Sequence, residues 1–115
     1  MRAYDVALLG TLCCRFPTFM PMLQEHLDDY DGLLPHVLMG EITRWVVQRF
    51  LIDSSDPTLR QVLDFIEKAF EGADARNREL IIASFLENMP RVGQNGAGVR
   101  LLLGPALRDQ LQQIG

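Results

Sequence analysis

Asp56-Pro57-Thr58-Leu59-Arg60-Gln61-Val62-Leu63-Asp64-Phe65-Ile66-Glu67-Lys68-Ala69-Phe70-Glu71-Gly72 is the stretch that decides the fold class. Its apolar positions Leu59, Val62, Leu63, Ile66, Ala69 and Phe70 recur at i, i+3, i+4 and i+7, the stripe of an amphipathic helix. Asp56 is a good N-cap, and Pro57 falls at the first helical position, where its missing N–H costs nothing. Gly72 is the expected left-handed residue that closes the helix.

The same period continues on both sides. Asp74 can cap a following helix that buries Ile81, Ile82, Phe85, Leu86 and Met89 and stops before Pro90. The short link between these two helices predicts an antiparallel αα-hairpin. Upstream, Pro35 opens a long helix with the stripe Leu38, Ile42, Trp45, Val46 and Phe50. Gly40 weakens that helix by about 1 kcal/mol relative to Ala unless it admits a close neighbour. Residues 3–15 read as one helix and 18–27 as a shorter one, separated by Phe16-Pro17. Residues 90–98, with three glycines, read as a flexible loop, and a last helical stretch over 99–114 breaks at Gly104-Pro105. No alternating strand pattern of useful length occurs. The expected architecture is therefore all-α over a single domain, 1–115, with five to six helices in antiparallel hairpins. They form a HEAT-like helical stack or an irregular bundle, since one hairpin unit does not demonstrate a repeat array.

The chain has 115 residues, enough for one domain with its own core. Eleven basic residues face fifteen acidic ones, a net charge of −4, so the basic surplus of a duplex-binding protein is missing and no direct nucleic-acid partner is expected. No run approaches a membrane span. The N-terminal apolar run contains Asp5 and lacks a small-residue cleavage site, which argues against a signal peptide and for a cytoplasmic protein. Cys13 and Cys14 are adjacent; a vicinal disulfide is strained, so both are expected as free thiols, buried and inert in an apolar helix.

Charge is polarised along the chain. Between Phe16 and Thr43 lie Glu25, Asp28, Asp29, Asp31 and Glu41 with no Lys or Arg. Residues 53–74 add six acids against Arg60 and Lys68, and from Ala75 onward five Arg meet three acids. These acids can be solvated helix ends and turn formers. They can also form an acidic face that meets a basic partner and speeds encounter. On the second reading the partner-binding residues are Glu25, Asp28, Asp29, Asp31 and Glu41, with Asp53 and Asp56 as a second patch. Tyr30, set among the acids outside any clean stripe, is the interface anchor. The run Asp28-Asp29-Tyr30-Asp31-Gly32 lacks the remaining ligands of a calcium loop.

The sites of chemistry are sparse. His26 and His36 stand near carboxylates but have no metal-ligand spacing, so no metal and no cofactor is expected. His36 is expected to cap or line the start of its helix, and His26 to be partly exposed. Ser54, Ser55 and Ser84 lie outside any nucleophile-elbow context. Gly93, Gly96 and Gly98 are in the order G-x-x-G-x-G with no preceding strand, which is not a phosphate cradle. Trp45, Phe50, Phe65, Phe70 and Phe85 fall on helical stripes and are expected in the core.

Leu34-Pro35-His36-Val37-Leu38-Met39-Gly40-Glu41-Ile42-Thr43-Arg44-Trp45, the later Leu80-Ile81-Ile82-Ala83-Ser84-Phe85-Leu86-Glu87-Asn88 and Leu103-Gly104-Pro105 together resemble a family of small bacterial all-helical proteins. Such proteins are similar to the immunity proteins encoded beside secreted or contact-delivered toxins. The resemblance implies an immunity role and marks His36, Glu41, Ser84, Phe85 and Glu87, either as toxin contacts or as links between the central helix and its neighbour. The first expectation is thus a non-enzymatic protein-binding module, monomer or small homodimer, whose acidic face occludes a cognate toxin. The alternatives are a HEAT-like adaptor or homo-oligomeric scaffold, and a small enzyme using His26 and His36.

Overall fold

Asp56 accepts hydrogen bonds from the Thr58 and Leu59 amides at 2.7 and 3.4 Å, so the cap read from the sequence starts α4, Pro57–Gly72. A computed structural model describes residues 2–114 of the chain. Before α4 come α1 (Ala3–Arg15), a 3₁₀ turn (Pro17–Phe19) that runs straight into α2 (Met20–Tyr30), and α3 (Pro35–Ile52). After it come α5 (Glu79–Ile81), which continues as a π-helical turn (Ile82–Leu86), a 3₁₀ helix (Ala97–Leu102) and α6 (Pro105–Ile114). The fold is all-α, and its radius of gyration of 13.4 Å is that of a closed domain of this length.

The stripe of α4 is buried through Leu59, Val62, Leu63, Ile66 and Phe70, and meets Leu9, Leu12 and Phe19 from the N-terminal helices and Leu107 and Leu111 from α6 in one continuous core. The long helix α3 sits at the centre, contacting α1, α2, α4, α5 and the π turn. A solenoid would restrict contacts to successive units; here α1 reaches α3 and α4, and α4 takes α6 as its main partner. Of the two architectures the sequence allows, the arrangement is the irregular bundle. The segment after α4 packs chiefly on α3 rather than back on α4.

Three local details differ from the expected ones. Gly72 does not adopt the left-handed conformation; α4 passes through it and ends at an extended Ala73. The exposed carbonyls at that end are instead taken by Arg78, whose Nε donates to Phe70 O at 2.9 Å while its guanidinium lies 4.5 Å over the Phe70 ring. Asp74 does receive the Asn77 amide, yet 75–78 form turns and regular helix begins only at Glu79. Residues 90–98, expected as a flexible loop, form hydrogen-bonded turns; Gly96 is buried, and a Cβ there would meet Val47 Cγ1 at 2.9 Å.

The π turn explains how α3 and the later segment are joined. Widening the helix to an i→i+5 bond, Glu87 N to Ile82 O, takes the Ser84 carbonyl out of the regular ladder. Thr43 Oγ1 donates to that carbonyl at 2.9 Å and Asn88 Nδ2 at 2.9 Å, while Ser84 Oγ and His36 Nδ1 are 2.6 Å apart. His36, Gly40 and Thr43 form one face of α3, and Gly40 leaves ordinary contact distance to Asn88. A Cβ would thus fit at position 40, and no close neighbour requires the glycine there.

Candidate functional site

An open polar groove between α2 and α3 is built from two matching stripes. On α2, Met22, Glu25, His26 and Asp29 follow i, i+3, i+4, i+7; on α3, Glu41, Arg44, Trp45 and Gln48 do the same. The two faces enclose an open groove of about 470 Å³. Three carboxylates stand in it against one cation, Arg44. Among the described residues Glu25, Asp29 and Arg44 make no ion pair, and Glu41 meets only His26.

The apolar side of the groove is Met22 and Trp45. Trp45 is half-buried, its ring 4.9 Å edge-to-face from the core residue Phe19. The Arg49 guanidinium lies 5.6 Å from its centroid, a cation–π contact of the kind aromatic faces offer to any guanidinium. Arg49 is itself tethered to Asp56 at 3.5 Å.

His26 is the hinge of the site and the clearest departure from the sequence reading. Expected as partly exposed, it is only 1% exposed. Leu34 N donates to its Nε2 at 3.0 Å, which requires a lone pair there, so the ring proton sits on Nδ1 and is donated to Glu41 Oε1 at 3.3 Å. Tyr30 packs on the ring at 4.9 Å. The turn that makes this possible uses a left-handed Asp31, φ 51°, and Gly32, φ 147°, and delivers Leu34 as the extended residue before α3.

The expected partner-binding residues divide. Glu25, Asp29 and Glu41 converge on the groove, with Tyr30 stacked behind it on His26. Asp28 lies off the groove and is bonded by Gln24, and Asp31 is spent on the turn conformation. Asp53 and Asp56 stand at the opposite end of α3, a distance of about 18 Å from Glu41 along a helix rising 1.5 Å per residue. Asp53 accepts from Ser55 N and Oγ, which hold its carboxyl below the usual range, and Asp56 caps α4.

Other chemistry-bearing groups are committed elsewhere. His36 is exposed, and its Nδ1 lies 2.6 Å from Oγ of the buried Ser84. Among the described residues no set of three His, Cys, Asp or Glu side chains is placed to hold a metal ion. Cys13 is buried, and burial pushes its thiol up to about 11; Cys14, expected to be equally buried, is exposed. No single described helix is long and apolar enough to cross a membrane.

One structural carboxylate escaped the sequence reading. Glu67, buried within α4, accepts the Ala106 and Leu107 amides at 2.9 Å each and so caps α6 from another helix. Its signal was present: position 67 lies four after Leu63 and three before Phe70, inside the apolar stripe.

No curated protein and no solved structure matches the chain. A family model described as "Domain of unknown function (DUF7674)" matches residues 9–114, which includes every groove residue, and the chain belongs to that family.

Proposed function

We propose that this protein is a non-enzymatic protein-binding module that receives a cationic side chain of a partner in the α2–α3 groove. The observation that carries the reading is the convergence of Glu25, Asp29 and Glu41 around Trp45 in one open groove, with Arg44 among its lining residues and Arg49 tethered to Asp56 beside the indole. Such a site suits a guanidinium or ammonium: carboxylates supply charge-assisted hydrogen bonds and the indole face supplies a cation–π contact. The biological use that fits a small acidic binder of this kind is immunity in the cytoplasm, where it covers the basic cleft of a toxin and blocks it by occlusion. The commitment of both His26 nitrogens to Leu34 and Glu41 weighs against the enzyme alternative.

Trp45 is the single tryptophan, so its fluorescence reports on the groove directly. Titration with N-acetyl-Arg-Arg-Arg-amide at low salt is expected to give a saturable change, absent with the corresponding tri-glutamate peptide and reduced in the Glu25→Gln/Asp29→Asn double variant. An unsaturable response, or an equal one from the double variant, contradicts the reading.

The adaptor or scaffold reading has its own support: Ile52, Val92 and Leu101 are 75%, 85% and 73% exposed. It requires self-association, and light scattering over a concentration series tests it; a constant monomer mass removes it.

A further inference from the structure

We propose that His26 is a positioning residue that makes binding in the groove proton-linked: its neutral form orients Glu41 for a partner's cation, and its protonated form takes Glu41 for itself. The inference rests on the groove reading and adds its regulation.

The argument starts from the two nitrogens. With Nε2 accepting from Leu34 and Nδ1–H donating to Glu41, the imidazole is neutral and Glu41 keeps its full negative charge facing the groove. Protonation changes both ends at once. A proton on Nε2 turns the acceptor into a donor pointed at the Leu34 amide, so that bond is lost. The ring becomes a cation 3.3 Å from Glu41 Oε1 and neutralises one of the three groove carboxylates. The side chain of His26 is fully buried, which keeps this pair from being screened by solvent.

The surrounding charges are of both signs: the carboxylates favour an imidazolium and Arg44 opposes it. Glu25, Asp29 and Tyr30 on α2 and Glu41 and Arg44 on α3 are the titratable and charged groups that face His26 or the groove, with Asp31 in the adjoining turn. A partner cation drawn to Glu25, Asp29 and Glu41 repels an imidazolium beneath it. Proton and partner therefore compete for Glu41, and by linkage each weakens the other equally. Histidines ordinarily titrate between about pH 5 and 8, above the ordinary carboxylate range. The scan that tests the link runs from about pH 8 to about pH 5.5.

The experiment is the tri-arginine titration read by Trp45 fluorescence across that range, on the wild type and on His26→Gln. The Gln variant keeps an acceptor for the Leu34 amide and cannot titrate. Wild-type affinity is expected to fall by roughly fivefold or more on acidification, and His26→Gln affinity to stay level. Equal pH profiles for the two proteins overturn the proton link and leave the groove reading standing; no binding at about pH 8 overturns both. Long-range ¹H–¹⁵N correlation on the wild type needs no variant. The expected result at about pH 8 is a protonated Nδ1 and a bare Nε2, with the Leu34 amide shifting as the ring titrates. A proton on Nε2 in that state, or a Leu34 amide indifferent to the titration, overturns the proposal.

Discussion

The Glu67 carboxylate and the Glu25–Asp29–Glu41 set sit on the same kind of scaffold, one helix face opposite another, yet the molecule treats them in opposite ways. Glu67 is buried and both its oxygens are consumed by backbone amides at the start of α6. Glu25 and Asp29 face solvent with no cation paired to them, and Glu41 has only a neutral imidazole donor. A carboxylate whose acceptors are filled by the chain's own N–H groups holds the fold. One left with empty acceptors beside an aromatic face is available to something else.

The largest effects should come from breaking the α4–α6 junction. Glu67→Ala removes the only side-chain acceptors of the Ala106 and Leu107 amides and leaves a cavity, a cost of about 2–4 kcal/mol in urea unfolding. Gly104→Ala attacks the same junction from the other side. A Cβ at 104 would collide with Glu67 Cδ, so the carboxylate must leave its place. The expected loss is about 1–3 kcal/mol. Gly40→Ala is the matched control: its Cβ would rest 3.7 Å from Asn88 Nδ2, and the helix gains about 0.5–1 kcal/mol from the lost glycine. Equal destabilisation at the two glycines would undo the distinction.

A smaller effect is expected from neutralising the groove. Glu25→Gln with Asp29→Asn should change stability by no more than about 0.5 kcal/mol. A gain or loss well beyond that would show that these acids, too, are part of the fold.

The cysteines and Asp53 sharpen the comparison at the local level. At mildly alkaline pH a thiol reagent should modify Cys14 quickly and Cys13 only on unfolding, because burial raises the Cys13 thiol to about 11. The folded state holds that proton more tightly than the unfolded one, whose thiol titrates near 9.0. Its stabilising contribution is therefore complete below about pH 9 and is lost as pH rises towards 11. Asp53 has the opposite sign. Hydrogen bonds from the Ser55 hydroxyl and amide lower its carboxyl, so the contribution is present above the ordinary carboxylate range and fades as pH falls through the lowered value. Ser55→Ala should move the Asp53 titration upward by NMR with little effect on unfolding, the smallest change of the series.

What could be read from the sequence was local. The α4 stripe, the Asp56 cap, the break at Phe16-Pro17 and the start of α3 at Pro35 all rest on neighbours within one helical turn, and all are present. The failures are long-range. Gly72 is not needed as a left-handed terminator because Arg78, six residues on, covers the carbonyls. The π turn has no periodic signature; it exists because Thr43 and Asn88 satisfy the carbonyl it frees. For the site, Glu25 and Asp29 could be paired from their i, i+4 spacing, but Glu41 joins them only through the Asp31-Gly32 turn, and the burial of His26 follows from the same turn. Glu67 was counted among solvated acids although its register placed it on the apolar face.

The central claim is that the α2–α3 groove takes a partner's cation, and amide and side-chain chemical-shift mapping with the tri-arginine peptide tests it most directly. The account predicts saturable shifts confined to 22–29, the Leu34 amide and 41–48, with the Trp45 indole among the largest and the α4–α6 junction silent. Shifts centred on the 53–56 turn or the exposed apolar side chains, or none at saturating peptide, would contradict it.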